Sequence, residues 1–295
     1  MREELMLQQQ LINGITIGGI YALIAIGYSL VYGILRIVNF AHGDIFMMGS
    51  FLGLILSRAT GISFLVVAPL AMICTAFLGM FVERLAYRPL RGADSMSVLI
   101  CAMGVSILLA NLAQLLFGTE THVYKVGVKL KNYSIGSVSI TNLQILMVVI
   151  TGLILVALFL FVKKTKFGIA MRATSNNLIT AKMMGINTNF VISITFAIGS
   201  TLAAIAGMMV GLYYDAAYPM MGFHYGIKAF AAAVLGGIGS MPGAMLGGLT
   251  IGIVESLGAA YISSGYRNAF AFGIMIIVLI FKPTGIMGKI VREKV

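Results

Sequence analysis

The sequence predicts an all-α polytopic membrane protein with about eight transmembrane segments, two of them interrupted or short (half-spanning). Three observations carry that prediction. First, 60% of the 295 residues are hydrophobic and 10% charged, with a mean hydropathy of +1.02; a soluble domain so composed would expose large apolar patches. Second, apolar runs of membrane-crossing length alternate with short loops rich in Lys and Arg. Third, two short, glycine-interrupted segments occur, one in each half, at 36–57 and 225–258. Residues 1–295 read as one membrane unit with no room for a separate soluble domain.

Residues 1–8 lack the basic region and small-residue cleavage site of a secretory signal, so residues 10–35 read as a retained first span. Gly14 and Gly18 stand four apart on it, the spacing that lets a second helix approach closely. A polar stretch with Asn39, His42, Gly43 and Asp44 follows, and then residues 45–57, apolar for a length of only about 20 Å if helical. This is the first short element, and Gly49 and Gly53 repeat the four-residue spacing. Residues 63–82 form a span through Pro69, and the arginines and proline of 83–94 mark a loop. Residues 95–116 span again. The polar stretch 118–141 alternates with period two, as a small extracytoplasmic hairpin does.

Residues 142–162 span back to a long basic loop, 163–189, whose interior has the Ala/Met pattern of one or two short helices. Residues 190–213 span once more, with Gly207 and Gly211 again four apart. The second interrupted element is the apolar stretch 225–238, broken at Gly239-Ser240-Met241-Pro242-Gly243 and resumed at 244–257. Residues 269–281 are the last span.

The net charge of +11 comes from basic residues spread along loops, with no concentration that a nucleic acid would bind. The larger share, including Arg36, Arg84, Arg88, Arg91, Lys163, Lys164, Lys166, Arg172, Lys182, Lys282, Lys289, Arg292 and Lys294, falls on one side. The positive-inside rule makes that side cytoplasmic, with the N-terminus extracytoplasmic and the C-terminus cytoplasmic. Cys74 and Cys101 lie in apolar runs as free thiols, and there is no zinc-ligand spacing. No nucleotide-binding, nucleophile-elbow or zinc-protease motif occurs, and His42 and Asp44, two residues apart, do not share a helix face. These features argue against an enzyme and call for no metal or cofactor.

An ionisable residue within a membrane segment costs at least ~2.5–3.5 kcal/mol on insertion scales and is by default a functional candidate. Asn39, His42, Gly43 and Asp44, with Gly239, Ser240, Pro242 and Gly243, therefore form the candidate pathway, two helix breaks aiming free backbone N–H groups into the membrane. An interfacial turn with a helix cap is the plainer reading of the first break, and close helix packing that of the glycines. Glu255 and Lys228 lie in the second element, where mutual pairing and snorkelling of the lysine both fit. A self-sufficient ion- or proton-coupled carrier or channel, with His42, Asp44 and Glu255 as relay groups, is the alternative from another class.

Several stretches together resemble the LivH-type permease subunit of branched-chain amino acid ABC importers. These are Tyr21-Ala-Leu-Ile-Ala-Ile-Gly-Tyr28, Asn39-Phe-Ala-His-Gly-Asp44, Glu83-Arg-Leu-Ala-Tyr-Arg-Pro-Leu-Arg91, Gly168-Ile-Ala-Met-Arg-Ala173, Leu235-Gly-Gly-Ile-Gly-Ser-Met-Pro-Gly-Ala244 and Phe281-Lys-Pro-Thr-Gly-Ile286. The resemblance implies a multi-pass protein of a bacterial or archaeal cytoplasmic membrane. It also implies a heteromeric importer, in which a related permease subunit completes the path, two cytoplasmic ATPase subunits supply energy and an extracytoplasmic binding protein delivers a small amino acid. By the same resemblance 163–189 is the coupling loop that docks an ATPase, with Gly168, Arg172, Ala173, Ala181 and Gly185 as its candidate residues, and Asn176-Asn177 standing where an acidic residue is expected in many relatives. Importers of urea and short amides share the pattern, so it leaves the substrate open.

Overall fold

A computed structural model of the chain describes residues 2–124, 131–135 and 138–288. Lys125 and Lys129, and Lys289, Arg292 and Lys294, which enter the charge-based orientation, lie outside the described residues.

The helices run α1 (Arg2–Leu35), α2 (His42–Thr60), α3 (Phe64–Val82), α4 (Ser95–Phe117), α5 (Asn142–Lys164), α6 (Lys166–Asn176), α7 (Leu178–Met183), α8 (Thr188–Tyr214), α9 (Met221–Gly236), α10 (Met241–Tyr261) and α11 (Arg267–Phe281). Among the described residues seven helices are long and apolar enough to cross a membrane: α1, α3, α4, α5, α8, α10, and α11 with the short 3₁₀ turn before it. The expected hairpin in 118–141 is present as β2 (Asn132–Ile135) paired antiparallel with β3 (Val138–Thr141). The two residues of β1 (His122–Val123) pair with β4 (Ala216–Ala217), joining the loop after α4 to the loop after α8.

The centre of the bundle is α1, α2 and α8, and small residues set how closely the helices approach it. At Gly14 and Gly18 a Cβ would stand 2.8 Å from the Cα of Ile253 and 2.9 Å from that of Leu249, so α1 and α10 meet backbone to backbone. Likewise, Gly49 and Gly53 of α2 face Ala204 and Met208 of α8. The glycine spacings thus mark helix crossings, as close packing in a membrane requires. Around this centre, α3, α4, α5 and α11 turn large apolar side chains outward, among them Phe77, Leu115, Leu153 and Ile280.

The structure moves several boundaries. The element expected at 45–57 is a 19-residue helix that takes His42, Gly43 and Asp44 into its first turn and ends against Gly61 at φ 65°, so it reaches about 28 Å. The chain around Glu83 is not loop: helix continues past α3 as a π-turn, Glu83–Tyr87, with Glu83 fully buried. Of the two pieces of the second interrupted element, α9 is short at 16 residues, whereas α10 has 21 and is long enough to cross. Cys74 faces outward from α3 rather than into the core. At Asp44 and Glu83 the polar residues that look like a boundary are accommodated inside a helix by neighbours far away in sequence.

Candidate functional site

The loop after α1 turns through Arg36 at φ 58°, and the backbone N–H of His42 donates to the Asn39 carbonyl at 3.1 Å, which starts α2 deep within the bundle. Asn39 is buried and its Oδ1 accepts from the Tyr87 hydroxyl at 2.6 Å. The His42 ring meets the Tyr28 ring edge-on, with centroids 4.7 Å apart, and fits because Gly27 presents no side chain there. Among the described residues Asn39 Nδ2 and His42 Nε2 are buried with no hydrogen-bond partner. Gly43 lies on the backbone of Gly222 and Gly226 of α9, and Asp44 accepts a hydrogen bond from the Ser106 hydroxyl of α4.

Asp44 opens onto a cavity of about 360 Å³ between α2, α4 and α9. Tyr28, Phe40, Met103, Ile107, Phe223, Ile227 and Phe230 line it. That volume falls within the range of small-molecule sites, roughly 300–1,000 Å³, and the lining has their usual character, apolar surface with few polar groups.

The second break lies elsewhere along α1. Gly237 and Gly239 have φ of 101° and 89°, Ser240 Oγ caps α10 by accepting from the Gly243 N–H at 3.3 Å, and Pro242 stands in the first turn of α10. Gly239 faces Tyr32 and Gly33, whereas Gly243 is pressed to the backbone of Gly236. Gly239 to Gly243 do not line the Asp44 cavity; the two breaks are related through Tyr28 and Tyr32, one turn apart on α1. Met241 and Pro242 line a separate, almost wholly apolar groove of about 270 Å³ with Ile26 and residues of α5.

Two further carboxylates are buried. Glu83 pairs with Arg91 and accepts from Ser193 at 2.5 Å, and Arg91 also donates to Asn189 at 2.5 Å. Burial draws the Arg91 guanidinium below its usual range, and Glu83 pulls it back up. Glu255 accepts from Lys228 at 2.9 Å and from the Tyr21 hydroxyl at 2.9 Å. Lys228 therefore pairs with Glu255, one of the two arrangements that the sequence leaves open.

In the 163–189 loop, α6 and α7 are the expected short helices. Thr165 caps α6, and Asn177 Oδ1 caps α7 by accepting from the N–H groups of Ile179 and Thr180, both at 2.9 Å. An amide serves at that cap as well as an acid would, which accounts physically for Asn at this position. Arg172 donates to the Val162 carbonyl, against which Gly168 packs with no room for a side chain, and Ala181 is buried. Ala173 is half-buried and Gly185 is exposed at φ 80°. The strongly exposed residues are Ile179, Met183 and Met184, at 65%, 80% and 77% of their full surface.

Sequence reasoning misses Tyr28, Ser106, Gly222 and Gly226 as parts of the Asp44 site, and Tyr21 as a partner of Glu255. Gly222 and Gly226 carry the same four-residue spacing as the other crossing glycines, a signal that was available. Ser106 is one hydroxyl in an apolar run and carries none.

Comparison with known proteins places the chain in a defined company. The family described as branched-chain amino acid transport system / permease component matches residues 10–279. The high-affinity branched-chain amino acid transport system permease protein BraD of Pseudomonas aeruginosa is 44% identical, over 97% of this chain and 97% of that protein. The corresponding LivH of Escherichia coli is 43% identical with the same coverages. A probable branched-chain amino acid transport permease LivH of Methanocaldococcus jannaschii is 28% identical over 94% of this chain and 91% of its own length. Among solved structures, PsaBC from Streptococcus pneumoniae in complex with Fab shares the fold, with a TM-score of 0.52 at 16% identity over 96% of this chain and 97% of that one.

Proposed function

The chain belongs to the branched-chain amino acid transport permease family, and from that membership we propose how its parts serve an ATP-driven importer. It is a multi-pass permease subunit of the cytoplasmic membrane, working with ATPase and substrate-binding components. In this reading it pairs with a related permease, docks one of two ATPases through 163–189, and receives branched-chain or other small neutral amino acids from an extracytoplasmic binding protein. It has no catalytic residues of its own. The basic residues Arg84, Arg88, Lys163, Lys164 and Lys166 support a cytoplasmic position for the loops that carry them.

The observation that carries the coupling assignment is the exposure of Ile179, Met183 and Met184 around α7, beyond the ends of α5 and α8. Apolar side chains gathered on a short helix outside the spans fit a surface that a partner covers. Asp replacement of Met183 and Met184 together is expected to lower ATP-driven uptake by the assembled complex about tenfold, the size of one weakened contact of ~1.4 kcal/mol. Insertion and pairing with the second permease should persist. Normal uptake would overturn the docking assignment. Ala181 and Gly185 are poorer probes, because burial and a left-handed backbone make their replacement disturb the loop itself.

For the pathway, the start of α2 supports a route along the α2, α4 and α9 face. An intramembrane carboxylate is held against the bundle interior or a water-filled cavity, not lipid, so the open side of the Asp44 cavity faces the related permease. The break at Gly239 to Gly243 continues that route along α1 toward the end of α9. The carrier reading loses a relay group, since Glu255 is engaged by Lys228 and Tyr21.

A further inference from the structure

Three acidic side chains are buried among the described residues: Asp44, Glu83 and Glu255. Two of them are neutralised from within the chain, Glu83 by Arg91 and Glu255 by Lys228. Asp44 has no basic partner among the described residues. Among the described residues its one side-chain donor is the Ser106 hydroxyl, which takes Oδ2. The other oxygen, Oδ1, faces Gly222 of α9, where a Cβ would stand 2.8 Å from it, so glycine at 222 lets that helix approach the carboxylate without a side chain between them. A buried carboxylate without a counter-charge is costly, and a cation removes the cost.

We propose that the Asp44 carboxylate receives the ammonium group of the amino acid as it passes through the membrane. Ser106 orients the carboxylate, and Met103, Ile107, Phe223 and Ile227 hold the aliphatic side chain. The inference rests on the importer reading and adds to it a contact for one end of the substrate. The chemistry suits a passage site rather than a storage site. One charge-assisted hydrogen bond to the ammonium, set in an otherwise apolar cavity of about 360 Å³, selects an aliphatic amino acid over an uncharged or anionic analogue. With few other polar contacts it releases what it selects. No basic residue lines the cavity among the described residues, which distinguishes Asp44 from the Lys228–Glu255 pair, where the cation is permanently supplied.

The test uses the full complex of both permeases and the ATPases in lipid nanodiscs, with Cys74 and Cys101 replaced by Ser and Ser106→Cys introduced. Cationic and anionic methanethiosulfonates of similar size are compared. The cationic reagent should modify the thiol at 106 about tenfold faster, since the nearby carboxylate concentrates cations, and the preference should vanish when Asp44→Asn is added. Leucine and leucinamide, which share the ammonium, should slow the reaction, while the α-keto acid of leucine should not. Should Ser106→Cys prevent assembly, Met103→Cys gives the same comparison from the cavity wall. Reaction with neither reagent, equal protection by the keto acid, or protection by sodium ions instead of leucine would overturn the proposal. Failure of the importer reading is separate and shows as absence of ATP-dependent leucine uptake by the unmodified complex supplied with binding protein.

Discussion

Lys228 shows how a residue that looks like an outlier in an apolar run is made tolerable by a partner 27 positions away in sequence. Removing one member of a buried ion pair typically costs about 3–5 kcal/mol, because the other charge is stranded, whereas replacing both by neutral groups can be close to neutral. Lys228→Met should therefore lower the thermal midpoint of the purified complex sharply, and Lys228→Met combined with Glu255→Gln should restore most of it. If Glu255 were a proton relay, the double variant would be stable yet inactive; recovered uptake together with recovered stability marks the pair as structural. The sequence places Glu255, Lys228, His42 and Asp44 in membrane segments from composition alone. It does not show that Tyr21 donates to Glu255 or that Ser106 donates to Asp44, because those partners are single hydroxyls with nothing periodic about them.

At the scale of elements, apolar length locates the spans to within a few residues, and the four-residue glycine spacings mark crossings of α1 with α10 and of α2 with α8. The boundary errors share one cause. Asp44 and Glu83 are polar, and such residues read as the end of a helix, yet in a bundle interior they can sit within one when another element supplies their hydrogen bonds. The seam between α2 and α9 gives this a test. A Cβ at Gly43 would collide with the Gly222 carbonyl and stand 3.0 Å from the Gly226 Cα, so Gly43→Ala must push the two helices apart. Overpacking of this kind costs roughly 1–3 kcal/mol, and it should appear as a lower melting temperature with reduced uptake. Gly104→Ala on α4, where a Cβ meets nothing within 4 Å, should leave both unchanged. Equal behaviour of the two variants would mean that the seam is looser than the structure has it.

For the molecule as a whole, the distribution of exposed and buried surface says how much of a pathway one chain can supply. The outward faces of α3, α5 and α11 are apolar and suit lipid, whereas the face between α4 and α9 carries Asp44 behind Met103, Ile107 and Phe223. An intramembrane carboxylate is held against protein or a water-filled cavity and not lipid, and on the proposed reading the related permease closes the cavity in front of this one. The sequence also carries no nucleotide-binding motif, in keeping with the proposal that partner ATPases supply the energy. Both observations lead to the same expectation for the isolated subunit in liposomes: no leucine flux down or against a gradient, with or without a proton or sodium gradient. Adding the related permease should close the Asp44 cavity against lipid, measured as protection of thiols placed at Met103 or Phe223, before any ATPase is present. Transport should then appear only when the ATPases and binding protein join. Gradient-driven flux through the subunit alone would instead require a complete path within these helices and would return the carrier reading, with His42 and Asp44 as its proton-bearing groups.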